Sequence, residues 1–201
     1  MADLAAKPET KLNLRNLSVL LVEHNAHERE VVSQILTGFR AGTVTARSTA
    51  DEAMKHVQHS PADLLIVGAA LPKMDGYDFV RWLRFAKAVP SRAAPVILLV
   101  GHTRLTDVMR ARDCGASYVV TKPITPSVLF QRIAWLARDN RPFIETETYT
   151  GPDRRVRKLG PPPGMAGRRK DDLPLAVGEA TEDNMSQAEI DAMLNPKRPP
   201  R

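Results

Sequence analysis

The sequence predicts an α/β fold, a doubly wound (βα)5 parallel sheet followed by a mostly disordered C-terminal tail, and three observations carry that expectation. Val19-Leu20-Leu21-Val22, Leu64-Leu65-Ile66-Val67 and Val96-Ile97-Leu98-Leu99-Val100 are short unbroken apolar runs, the pattern of strands covered on both faces in a parallel sheet. Apolar residues at helical spacing lie between the runs. Residues 141–201 hold nine Pro and five Gly in 61 positions, against seven and six in the first 140. Such a segment, with few large apolar residues, cannot bury enough surface to offset its chain entropy.

The elements follow in order. Two weaker strands are expected at residues 43–46 and 118–121. Val31, Ile35, Leu36 and Phe39 recur at helical spacing until the stretch Gly38-Phe39-Arg40-Ala41-Gly42, and Ala50, Ala53, Met54 and Val57 do so before Pro61. Further helices are expected at 77–85, at 105–113 ahead of Gly115, and at 127–137. The resulting division is a flexible N-terminus over 1–14, a folded domain over 15–140, and a basic, Pro-rich tail over 141–201 with one short helix at 186–194. In a doubly wound sheet, sites form beyond the carboxyl ends of the strands. The informative positions should therefore follow Val22, Val67, Val100 and Thr121.

Composition removes several classes of function. With 201 residues, 43% apolar and 26% charged, the chain is close to globular averages, which argues against a fibrous or wholly disordered protein. The single cysteine, Cys114, cannot form an internal disulfide. No run of about 18 apolar residues occurs, and the first ten residues lack an apolar leader. A cytoplasmic protein without membrane insertion is the expectation. The formal charge of +6 is concentrated in residues 151–170, where seven Lys and Arg face one Asp. His24 with His27 and His56 with His59 repeat a spacing of three; the second pair has no Cys or carboxylate cluster beside it and reads as a solvated helix face, while the first could bind a soft transition ion, although no metal site is the expectation. Neither a Ser-His-Asp nor a Cys-His motif supports catalysis, and the chain is expected not to be an enzyme.

Val19-Leu20-Leu21-Val22-Glu23-His24, the stretch from Pro61 through Gly68 to Leu71-Pro72-Lys73-Met74-Asp75-Gly76, Pro95-Val96-Ile97-Leu98-Leu99 and Thr121-Lys122-Pro123 resemble a response-regulator receiver domain of the CheY-like, flavodoxin-like kind. The resemblance covers residues 15–140. It implies an Asp after the third strand that accepts a phosphoryl group, an acidic pair after the first strand that holds Mg²⁺, a Thr or Ser after the fourth and a Lys after the fifth. Phosphoryl transfer needs these groups because it is mainly positioning and charge neutralisation. Here the phosphoacceptor position falls on Gly68, which has no side chain. The acidic pair becomes Glu23-His24, and an imidazole suits Mg²⁺ poorly. The hydroxyl position falls on Val100, and the aromatic three residues before the Lys is replaced by Val119, while Tyr118 points to the other face of the sheet. Lys122 and Pro123, the latter cis by resemblance, remain. The expectation is a pseudo-receiver that signals without phosphorylation.

The tail holds two informative islands. The first is Tyr149-Thr150-Gly151-Pro152-Asp153-Arg154-Arg155-Val156-Arg157-Lys158, with Arg168 and Arg169 further on. Guanidinium groups stack on bases and fork onto phosphate or the guanine edge, and a neighbouring carboxylate such as Asp153 accepts from guanine. The island resembles the arginine-rich tails of CheY-like cyclic-di-GMP effectors, which makes cyclic di-GMP the candidate ligand. Generic anion binding and a solubilising linker stand as alternatives. The second island is Met185-Ser186-Gln187-Ala188-Glu189-Ile190-Asp191-Ala192-Met193-Leu194-Asn195-Pro196. Ser186 and Glu189 form a capping box, and Ile190, Met193 and Leu194 make an apolar stripe suited to a groove. Its words resemble the N-terminal peptide of the flagellar switch protein FliM, which implies docking on a receiver domain, either another protein's or this chain's own.

The expected function is thus an adaptor in chemotaxis, flagellar or two-component control, without a cofactor. Two other classes remain open. One is an orthodox response regulator that uses another carboxylate, with Asp63 and Asp75 nearest in sequence. The other is a nucleic-acid-binding regulator, although no helix-turn-helix pattern follows the domain.

Overall fold

The computed structural model describes residues 13–101 and 104–154. Five parallel strands, β1 (Ser18–Val22), β2 (Thr43–Arg47), β3 (Leu64–Gly68), β4 (Val96–Val100) and β5 (Tyr118–Thr121), alternate with helices α1 (Ala26–Gly38), α2 (Ala50–His59), α3 (Gly76–Phe85), α4 (Leu105–Asp113) and α5 (Pro126–Leu136). The strand order is β2-β1-β3-β4-β5. This is the doubly wound arrangement that the apolar runs predict.

Alternation along each strand builds two separate cores. Leu20, Val22, Leu65, Val67, Leu98, Val100 and Val119 face Ala53, Phe79, Leu83 and Ala111 of α2, α3 and α4. Val19, Leu21, Ile66, Leu99, Tyr118 and Val120 face Val32, Leu36, Leu129 and Ile133 of α1 and α5. The period of two makes this division obligatory. Tyr118 accordingly packs edge-to-face on Trp135 at 5.2 Å between centroids, on the face opposite Val119.

The loops at the carboxyl ends are fixed by caps. Asn25 accepts from the backbone N–H of His27 and Glu28, Thr49 from Glu52, Asp75 from Asp78 and Thr125 from Val128. Each satisfies an orphan donor at the start of a helix that begins beside the sheet's carboxyl edge. The Lys122–Pro123 peptide bond is cis.

Both expected boundaries shift. Leu14 is buried in the α1–α5 core, and its carbonyl accepts from Leu17 and Gly42, so the folded unit already includes part of the expected flexible N-terminus. At the other end, residues 141–154 are not a loose tail but an antiparallel hairpin, β6 (Phe143–Glu145) paired with β7 (Thr150–Pro152). Phe143 and Tyr149 supply the apolar surface that the Pro and Gly counts conceal. Residues 155–201 lie outside the described residues, and with them Arg155, Arg157, Arg168, Arg169 and the helix expected at 186–194 with Glu189, Ile190, Met193 and Leu194.

Candidate functional site

The carboxyl ends of β1, β3 and β5 bring Glu23, Gly68 and Lys122 together. Glu23 is 1% exposed, and its carboxylate is fully engaged. Oε1 accepts from the Asn25 backbone N–H at 3.0 Å, and Oε2 accepts from Lys122 Nζ at 2.8 Å. Lys122 also donates to Glu28 in the first turn of α1. Burial alone would lower the Lys122 pKa, but the hydrogen bonds to Glu23 and Glu28 outweigh it and hold the ammonium above its ordinary value. Arg29 ties down the loop by donating to the carbonyls of Glu23 at 2.7 Å and His24 at 3.1 Å.

Gly68 completes the site by what it leaves out. A Cβ on Gly68 would lie 2.4 Å from Glu23 Oε2. The Glu23 carboxylate therefore occupies the space that a side chain at 68 would need. Val100 lies buried in the layer beneath α3 and α4, and His24 is exposed; neither joins the cluster. Glu28, absent from the sequence expectations, is its third charged member.

The residues do not fit Mg²⁺. That ion wants several oxygen ligands in octahedral array, whereas Glu23 is paired with Lys122 and the neighbouring position offers an imidazole. Lys122 already sits between the two carboxylates. Among the described residues no three His, Cys, Asp or Glu gather into a group that could hold a metal ion.

The other carboxylates considered as acceptors are committed elsewhere. Asp63 stands at the start of β3, away from its carboxyl end, and accepts from the Ser18 N–H at 2.8 Å. Asp75 caps α3 through Asp78 and pairs with Arg110 at 2.6 Å, whose guanidinium lies 4.4 Å from the centre of the Tyr77 ring.

Of the six nucleotide-binding candidates, two are described. The Asp153 N–H donates to the Pro142 carbonyl at 2.8 Å, closing the hairpin. Arg154 pairs with Asp113 at 2.7 Å and lies 4.2 Å from the centre of the Tyr149 ring.

A sheet of this order with a charged cluster at its carboxyl ends defines a receiver-type signalling domain. Residues 19–134 match the family model of the response regulator receiver domain, and the chain belongs to that family. It is 30% identical over 112 residues to protein-glutamate methylesterase/protein-glutamine glutaminase 1 of Myxococcus xanthus, covering 55% of this chain and 31% of that protein. It is 32% identical over 118 residues to the transcriptional regulatory protein KdpE of Mycobacterium tuberculosis, covering 55% and 50%. The chain thus matches half or less of the length of these relatives. Among solved structures, a chemotaxis response regulator of Vibrio cholerae superposes with a TM-score of 0.56 at 23% identity, covering 60% of this chain and 98% of that one. The receiver domain of a histidine kinase from Syntrophus aciditrophicus does so with a TM-score of 0.56 at 29% identity, covering 66% and 99%. Among the described residues no helix is long and apolar enough to cross a membrane.

Proposed function

We propose that this receiver signals without accepting a phosphoryl group, as a non-enzymatic adaptor in two-component or chemotaxis control. One observation carries the reading: the position that would hold the acceptor carboxylate is Gly68, and Glu23 fills the space beside it. A nucleophile at 68 would have to displace a buried carboxylate. Lys122, the cation that a phosphoryl-transfer site would use to neutralise the transferred oxygens, is paired instead with Glu23 and Glu28.

The test is incubation of the full chain with acetyl phosphate and Mg²⁺, read by intact-protein mass spectrometry. No added phosphoryl mass is expected, either for the native chain or for Gly68→Asp, since His24 and Val100 remain. A base-labile phosphoprotein formed by the native chain would overturn the reading.

Output then rests on binding. The reading assigns docking on a receiver domain, in trans or in cis, to the tail segment with Glu189, Ile190, Met193 and Leu194, on its sequence likeness to the flagellar switch peptide. It assigns cyclic di-GMP to the segment from Asp153 and Arg154 through Arg155, Arg157, Arg168 and Arg169. Calorimetric titration of cyclic di-GMP into the full chain and into a chain ending at Arg154 separates the tail from the domain. Binding confined to the full chain supports the assignment, and equal affinity for RNA and heparin with steep salt dependence replaces it by generic anion binding.

A further inference from the structure

The hairpin β6–β7 lies against the turn between α4 and β5, and the contact is closer than side chains would permit. A Cβ on Gly115, whose φ is +92°, would stand 2.7 Å from the Thr150 carbonyl oxygen, and one on Gly151 would stand 2.9 Å from Gly115 Cα. The two backbones meet glycine to glycine. Close approach of this kind selects residues without a side chain.

The hairpin is held by the buried Tyr149 ring and by ion pairs, two of which lie at its rim. Arg92 pairs with Glu145 at 2.6 Å, with Glu145 half exposed. Arg141 pairs with Asp139 at 2.7 Å and donates to the Ser117 carbonyl at 2.9 Å. At the far end Arg154 is held between Asp113 and the Tyr149 ring, and the two ion-paired side chains are about 40% exposed. Each strand is three residues long. Short strands fastened in part by exposed ion pairs open at lower free energy than the core they cover.

Beneath the hairpin lies a buried arginine. Arg84 is fully buried, and its guanidinium is held by the carbonyls of Gly115, Arg92 and Ala94. It has no carboxylate partner, and Nη2 makes no hydrogen bond among the described residues. The Phe143 ring of β6 lies over it, 5.7 Å from the ring centre to Cζ. Phe143 is thus the side chain by which the hairpin covers Arg84.

We propose that residues 141–154 are a strap with a closed and an open position, fastened by Arg154 between Asp113 and Tyr149, and that the strap opens while the five-stranded sheet stays folded. Opening widens the cleft in which Val108, Met109 and Tyr118 face Tyr149 and Pro152, and it does so at the point where the chain passes into its basic segment. This inference does not depend on whether Gly68 has replaced a phosphoacceptor.

The test is hydrogen–deuterium exchange of the full chain, read peptide by peptide by mass spectrometry. Amides of 141–154 are expected to exchange faster than those of β1 and β3–β5. Arg154→Ala and Asp113→Asn, both changes at the surface, should each speed exchange of the strap by about three- to tenfold and leave the sheet peptides unchanged. Exchange of strap and sheet at one common rate overturns the proposal, as does a strap rate that neither variant alters.

Discussion

The two ends of the sheet bury opposite charges and compensate them by opposite means. At the carboxyl end Glu23 is buried against a lysine, so an ion pair replaces its lost hydration. At the other end Arg84 is buried against backbone carbonyls, with no carboxylate partner among the described residues, and burial pulls its pKa down to about 10. Dipoles can hold a delocalised guanidinium because its five donors spread over several acceptors. A carboxylate next to a sheet edge lacks that many donors and needs a cation. One end is therefore a closed ionic cluster and the other a cation roofed by a movable hairpin.

The largest effect that would break this comparison is expected at Arg84. Arg84→Ala leaves carbonyls without donors and opens a cavity under Phe143, which should cost about 4 kcal/mol or more. Urea unfolding of the full chain measures it. Arg84→Lys should recover only part, because a point charge on a flexible stem cannot reach three carbonyls in the same fork. Full recovery by lysine would mean that charge, not geometry, is what the base of the domain requires.

These two ends were unequally legible in the sequence. Strands covered on both faces must be apolar throughout, so β1, β3 and β4 are plain, and the motif spacing puts Glu23, Gly68 and Lys122 at the carboxyl ends of β1, β3 and β5. Glu28 was not legible as a partner because an acidic residue in the first turn of a helix is equally well explained by the helix dipole. Arg84 was hidden for a related reason: in Trp82-Leu83-Arg84-Phe85 a charged residue reads as the solvent face, yet Arg84 is buried and Phe85 is 43% exposed. The hairpin escaped because its strands are short and carry Gly151 and Pro152, and only the backbone approach to Gly115 gives those residues their meaning.

The next effect lies at Lys122. Lys122→Met leaves Glu23 buried without its cation, and losing one member of a buried pair costs about 3 kcal/mol. The pH dependence sharpens the point. The Lys122 pKa is raised in the folded state, so its stabilisation is complete below the pKa of an unfolded lysine, about 10.4, and is lost as pH rises through the folded value. Denaturation of the native chain from pH 9 to pH 11 should show that decline, and Lys122→Met should lack this component of it. An identical decline in the variant would show that the cluster does not depend on the ammonium.

A smaller cost is expected at Gly68, where the comparison becomes a question of space. Gly68→Ala sets a methyl group 2.4 Å from Glu23 Oε2. The carboxylate is at the end of a flexible side chain and can move, so the cost should be about 1–3 kcal/mol. Against a Glu23→Ala background the same substitution should cost much less, because the atom it strikes is gone. Additive costs in this double-mutant cycle would place the obstruction elsewhere.

The smallest effect is expected at the hairpin's rim. The hydrogen bond from Arg92 is the main cause that holds the Glu145 carboxyl below its ordinary value. A carboxylate whose folded pKa is depressed stabilises the fold above the unfolded pKa, about 4.3 for Glu, and loses that contribution as pH falls through the folded value. Glu145→Gln removes the titration while keeping a similar shape. Thermal unfolding at neutral pH and low salt should show a slightly lower midpoint for the variant. The gap should close both on acidification below that range and on adding salt to about 1 M, where the Debye length falls to about 3 Å. A gap that persisted under both conditions would mean that Glu145 acts through packing on Phe143 rather than through its charge, and the rim of the strap would then resemble the buried end of Arg84 more than an exposed ion pair.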